Sequence, residues 1–175
     1  MEKKCIAGII VVLVVVIAAF GAYLLLSDDS KAEDNPYYFF IQTEEGYDSE
    51  GLPYESSVMQ EGFWVKGNGD NASDALQNVC KSNNWNIVIS EMPNSGGDSM
   101  NALFSLEMTE VEGVYHYWVI YSWDDGLDSF GFSSVTLDRI VASEGPQYIS
   151  LVYKADTSSS VLPSVTPDDI PKDVL

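Results

Sequence analysis

The stretch Val114-Tyr-His-Tyr-Trp-Val-Ile-Tyr-Ser-Trp-Asp-Asp-Gly126 sets five aromatic rings and the only histidine of the chain within ten residues, then stops on two aspartates and a glycine. Period-2 alternation places Val114, His116, Trp118, Ile120 and Ser122 on one side of a strand. Tyr115, Tyr117, Val119, Tyr121 and Trp123 fall on the other. Both sides are largely apolar, which is the pattern of a central strand covered on two faces. The tyrosine side is also amphipathic, so Tyr115, Tyr117, Tyr121 and Trp123 are the candidate ligand-binding residues, rings on which a sugar, a corrin or a peptide would stack. Packing is the expected role of the strand as a whole, with a binding platform on this one side.

Working outward, the other regular segments read as follows. Tyr37–Thr43 is aromatic, contains Ile41 and begins just after Pro36, which predicts a strand. Residues 44–57 are dense in Gly, Pro, Asp and Ser and read as loop, and 62–69 as a short strand ending on glycines. Ala72, Ala75, Leu76, Val79 and Cys80 recur at i, i+3, i+4, i+7 and i+8, one face of a helix over Ala72–Ser82. Asn71 is its expected N-cap, Asp74 suits its positive end, and Asn83 and Asn84 suit a left-handed exit. Trp85–Glu91 reads as a buried strand, 92–101 as a loop, and 102–108 as an alternating strand. Residues 135–141 are ambiguous. Tyr148 to Lys154 alternate with an apolar side of Ile149, Leu151 and Tyr153, a last strand. Residues 156–175, with three prolines and a Ser/Thr run, read as a disordered or extended tail. One helix against one sheet is an α+β domain in two layers.

The start of the chain is of another kind. Cys5 to Leu26 is a 22-residue run without a charge, about 33 Å as a helix against a hydrocarbon core of roughly 30 Å. Lys3 and Lys4 precede it and an acidic segment follows, so the positive-inside rule keeps residues 1–4 in the cytoplasm and exports the rest. A cleaved signal peptide would have a shorter apolar region, about 7 to 15 residues, and a better small-x-small site than Ser30-Lys31-Ala32. An uncleaved signal anchor at 5–26 is expected, with membrane lipid as its partner, then a polar stalk at 27–36 and an extracytoplasmic domain at 37–155.

Taking Glu2, Lys3 and Lys4 from the totals of 27 acidic and 8 basic residues leaves 26 against 6 beyond the anchor, a formal charge of −20. Such a field repels nucleic acid and anionic lipid and attracts cations or basic partners, and solubility in a salty exterior is its expected role. Cys80 alone lies outside the anchor, so the exported domain has no intramolecular disulfide and no multi-cysteine zinc site.

The order of these segments resembles the transcobalamin C-terminal-like domain, a small β-grasp module of prokaryotic surface proteins. The resemblance covers about Phe63 to Ala155. It rests on the turn and helix opening of 67–76, the 85–90 strand, Tyr117, Trp118 and Tyr121 before the turn Asp125-Gly126, and Leu151 to Tyr153 in the last strand. The segment from Asp125 to Val135 is longer and more acidic than the family pattern. The resemblance implies a β-grasp-like fold. It implies no cobalamin contacts, because nothing here matches a ligand motif residue by residue, and no cofactor is expected.

Other candidates weigh toward ordinary structure. His116 stands without Ser, Cys or Asp at motif spacing and is expected to be a hydrogen-bonded core residue. Cys80 lies on the buried helix face. Asp124, Asp125 and Asp128 are calcium candidates by composition, but they miss the spacing of a calcium loop, and turn chemistry is the expected role. Asn71-Ala72-Ser73 is a glycosylation acceptor as well as a cap. There is no Walker, His-Glu-x-x-His or Gly-x-Ser-x-Gly motif. The reading is a non-catalytic surface module that captures a small molecule or a surface protein. A type IV pilin-like subunit is the structural alternative, although Cys5 stands where a small processing residue is usual. An exported hydrolase using Asp124 and Asp128 is the catalytic one.

Overall fold

In a computed structural model, residues 35–44, 51–92, 96–143, 145–157 and 162–175 are described. The expected anchor at 5–26 and most of the stalk lie outside them. Among the described residues no helix is long and apolar enough to cross a membrane.

The fold is α+β, mostly strands with few helices. Its elements in chain order are β1 (Tyr37–Thr43), α1 (Ser56–Glu61), β2 (Phe63–Gly67), α2 (Ala72–Asn83), β3 (Ile87–Met92), β4 (Gly97–Leu103), β5 (Leu106–Glu107), β6 (Thr109–Val111), β7 (Val114–Asp124), β8 (Ser129–Phe132) and β9 (Gln147–Ala155). The main sheet runs β2-β1-β9-β7-β6, with β8 also on β7, and β3-β4-β5 form a second, smaller sheet. β1 and β9 are parallel, Phe39 opposite Ile149, while β9 and β7 are antiparallel, Trp118 opposite Tyr153.

Alternation divides the main sheet into two cores. Tyr37, Phe39 and Ile41 of β1 and Ile149, Leu151 and Tyr153 of β9 face α2, where Ala72, Ala75, Leu76 and Cys80 are buried against them. Tyr38, Phe40, Val119, Tyr121 and Val152 face the other way and pack with Trp64 and Phe130. The helix starts where the sequence predicts, with Asn71 Oδ1 accepting from Asp74 N–H at 2.9 Å. It ends on Asn84 at φ 56°, where asparagine tolerates the left-handed turn.

Five segments depart from the sequence expectation. The expected buried strand Trp85–Glu91 is β3, at the edge of the small sheet and half-buried on one side only, with Val88 43% exposed. The loop at 44–57 contains the start of α1, a helix too short to show periodicity, which buries Met59. Gly62 ends it at φ 81°, and a Cβ there would sit 2.2 Å from Phe40 Cζ, so only glycine fits. The expected loop at 92–101 holds β4, paired with β3 from Gly97 opposite Met92 to Leu103 opposite Ile87. Its Gly, Asp, Ser and Asn content conceals a strand whose apolar residues, Met100, Ala102 and Leu103, crowd its far end.

The expected strand at 102–108 is broken at Phe104, which takes φ 60° and turns the chain into β5. That conformation costs a non-glycine residue about 1–2 kcal/mol. Burial of the ring between Trp85 and Trp118 offsets the cost, with centroids 5.2 and 6.2 Å away. The expected disordered or extended tail is ordered over 162–175 and covers the face of the sheet opposite α2. Ile170 is 6% exposed there, with Val165 and Val174 beside it. Asp169 secures this segment locally by accepting from Thr166 N–H at 2.7 Å.

Candidate functional site

β7 carries the candidate residues, and the structure divides them. Tyr121 is 3% exposed and Tyr117 and Trp123 are half-buried in the second core. Trp123 stands edge-on to Phe130 at 5.2 Å, and Tyr121 to Phe132 at 6.4 Å. Tyr115 alone of the four is open, at 49%. The row of rings is thus closed at Tyr121, half-buried at Tyr117 and Trp123 and open at Tyr115, and Val165, Ile170 and Val174 of the tail pack in the same core. Burial, with lesser contributions from Tyr117 and Glu44, pushes the Tyr121 phenol above its ordinary pKa.

The aspartates after β7 do turn work. Asp124 Oδ1 accepts from Gly126 N–H at 2.8 Å and Leu127 N–H at 3.2 Å, and Asp125 Oδ1 from the Trp123 indole N–H at 2.9 Å. Asp128 takes φ 49°. Among the described residues no three His, Cys, Asp or Glu side chains converge on a metal position. The Asn71 side chain is committed as the helix cap, and Ser73 of the same acceptor triplet is buried, its hydroxyl 3.3 Å from Asp98 Oδ2.

His116 is half-buried instead of enclosed in the core. It lines a cavity of about 530 Å³ with Ser105, Glu107, Thr109 and Tyr153. The Tyr153 hydroxyl donates to Glu107 O at 2.6 Å, and burial first, then Glu107, raises its pKa.

Cys80 is fully buried, and burial pushes its thiol up to about 12. A thiol in that state is neither nucleophile nor ligand at neutral pH. In native protein at pH 8 the Cys80 peptide is expected to stay unalkylated by iodoacetamide, as mapped by mass spectrometry, and to react fully in guanidinium. Alkylation at equal rates in both conditions would refute the burial. Because the folded pKa is raised, the stability linked to this thiol is complete below about pH 9 and is lost as the pH climbs toward 12.

Another opening lies along the outer edge of β7. On the inner edge β9 pairs with His116 to Ser122. On the outer edge β6 reaches only Val114 to His116, and β8 only Tyr121 to Asp124. Both neighbours are drawn away. Below β6 the chain joins the small sheet, with Glu107 opposite Ala102 and Met108 N–H on Asn101 O at 2.9 Å. Beyond β8, Ser133 N–H bonds Ile120 O at 3.0 Å, and the Ser133 hydroxyl then turns to Val135 O at 2.8 Å.

A groove of about 370 Å³ fills the space between, walled by Tyr117 to Ile120, by Asp98 to Met100 of β4 and by 132–136. Asp138 at its rim accepts from Asp98 N–H at 2.9 Å. That bond, with the Thr136 hydroxyl beside it, holds the Asp138 carboxyl below its ordinary pKa and keeps it anionic. Sequence reasoning found Tyr117 but not Ser99 or Thr136, because one wall of the groove belongs to the strand read as a loop and another reaches into the ambiguous stretch at 135–141. The glycine pair Gly96-Gly97, which lets β4 approach Thr136, was the only local signal of those two walls.

No protein-family model, curated protein or solved structure matches the chain.

Proposed function

We propose that the chain is a non-catalytic binding module, held by a single-pass anchor at 5–26 and displayed outside the membrane, which captures a ligand or protein partner at the cell surface. The observation that carries the binding reading is the groove beside the unpaired stretch of β7, a concave, mostly apolar site with polar backbone on one wall. The anchor is supported by the uncharged run and the charges flanking it. A β-grasp-like architecture is supported by the path of the main sheet: an antiparallel β1-β2 pair, the helix α2, and β9 returning parallel to β1 with β7 beyond it.

The placement is tested on intact cells making the full chain with a C-terminal epitope. Protease added outside is expected to remove the epitope, and the chain should resist carbonate extraction from the membrane fraction. An epitope cleaved only after permeabilisation would overturn the placement.

A further inference from the structure

Four consecutive residues of β7, Tyr117 to Ile120, line the groove. Side chains alternate between the faces of a strand, so consecutive residues share a wall only where the strand shows its edge. Two bonds fix which groups point there. Tyr115 O accepts from Asp156 N–H on the β9 side at 2.8 Å, and Ile120 O accepts from Ser133 N–H on the outer side. By the same alternation both the N–H and the C=O of Trp118, and the N–H of Ile120, face the groove. Among the described residues no strand pairs with Tyr117, Trp118 or Val119 on that side. Buried or half-buried backbone groups of this kind are a template for an added strand.

The charges around the groove select the partner. Asp98 is in its wall and Asp138 at its rim. β6 and its turn into β7 carry Glu110 and Glu112, and Asp124 at the end of β7 is followed by Asp125 and Asp128. Among the described residues two cations stand near, Arg139, whose guanidinium donates to Gly96 O, and Lys154, buried on β9 opposite Tyr117. A second copy of this chain, itself at net charge −19, would be repelled along the same edge.

We propose that the β7 edge binds an extended, basic peptide segment of another protein by strand addition, pairing with Trp118 and Ile120 between the ends of β6 and β8. Main-chain bonds supply the register, and the acidic rim supplies the preference for Lys or Arg in the incoming segment. This rests on the binding-module reading above.

The test uses the full chain in lipid nanodiscs with site-resolved amide exchange. The probe is a pool of nonapeptides alternating Lys or Arg with Val or Thr, and the control is the same pool methylated on every backbone nitrogen. Exchange at the Trp118 and Ile120 amides is expected to slow at least tenfold with the first pool and not with the second. The effect should vanish in Ser134→Trp, which fills the groove from an exposed position and is expected to melt within about 2 °C of the parent. Should Ser134→Trp melt lower, Ser134→Arg, which sets a cation at the same wall, is expected to abolish the slowing instead. Protection elsewhere on the domain would overturn strand addition and leave a binding module. Equal protection by the methylated pool, or none with either, would overturn the proposal.

Discussion

Removing residues 162–175 is expected to lower the melting temperature by about 10–20 °C and to make the domain bind an apolar dye such as ANS. The segment carries three prolines and three aspartates, yet Val165, Ile170 and Val174 close the second core, whose other buried residues are Tyr38, Phe40, Trp64, Val119, Tyr121, Phe130 and Val152 of the sheet. Burying an Ile side chain is worth roughly 1.5–3 kcal/mol, and two half-buried valines add about 1 kcal/mol each. The sum, about 3–5 kcal/mol, is a large fraction of the 5–15 kcal/mol by which domains of this size are stable. At roughly 3–4 °C per kcal/mol this gives the stated shift. The point variant Ile170→Asp should act in the same direction, because it places a carboxylate among aromatic rings with no partner. Unchanged melting together with no dye binding would mean that the segment does not cover the sheet in solution. The experiment also bears on Tyr117, Tyr121 and Trp123, since only the truncated chain would present them as the stacking surface their sequence pattern suggests.

That pattern shows where the sequence is informative and where it stops. Alternation in 114–123 and 148–154 is a local property, and it correctly separates the two faces of the sheet. Helical spacing from Ala72 to Cys80, with Asn71 before it, is local too, and α2 forms with its cap in place. What lies over a face is not local. Residues 162–175 set only a few spaced apolar side chains against the sheet, too few to show a period, and their order comes from a sheet built by residues up to about 130 positions away. The groove is less legible still. It exists because β6 and β8 leave β7 in opposite directions, one toward Asn101 and Ala102 of β4 and the other through the Ser133 turn. A strand edge is defined by absent neighbours, and no composition or spacing in β7 itself encodes their absence. His116 makes the same point: its apolar side of the strand predicts burial, but the early exit of β6 opens a cavity beside it.

Trp118→Ala should be the most damaging single substitution in β7, costing about 3–5 kcal/mol, the range for a large aromatic emptied from a core. The indole is the joint between the two sheets. It stands edge-on to Phe104 at 6.2 Å, tilted on Tyr153 at 5.3 Å, and its N–H donates to Leu106 O at 3.1 Å. Tyr153 makes a second tie, from its hydroxyl to Glu107 O. Both ties hold β5, the two-residue strand through which the chain leaves the small sheet for β6. Packing and hydrogen bonding separate cleanly here. Trp118→Phe keeps a ring but loses the N–H, and is expected to cost about 1–2 kcal/mol more than its lost volume, the cost of leaving a carbonyl unpaired. Tyr153→Phe, nearly isosteric, should cost about 1 kcal/mol. Chemical denaturation of the four members of a Trp118→Phe, Tyr153→Phe cycle measures whether the ties cooperate, and a coupling of 0.5 kcal/mol or more is expected for groups in contact that share one short strand. Faster amide exchange confined to Leu106–Met108 in the double variant would place the loss at the joint. A cycle that adds to zero, with exchange unchanged there, would show that β5 is held by its pairing with β4 alone.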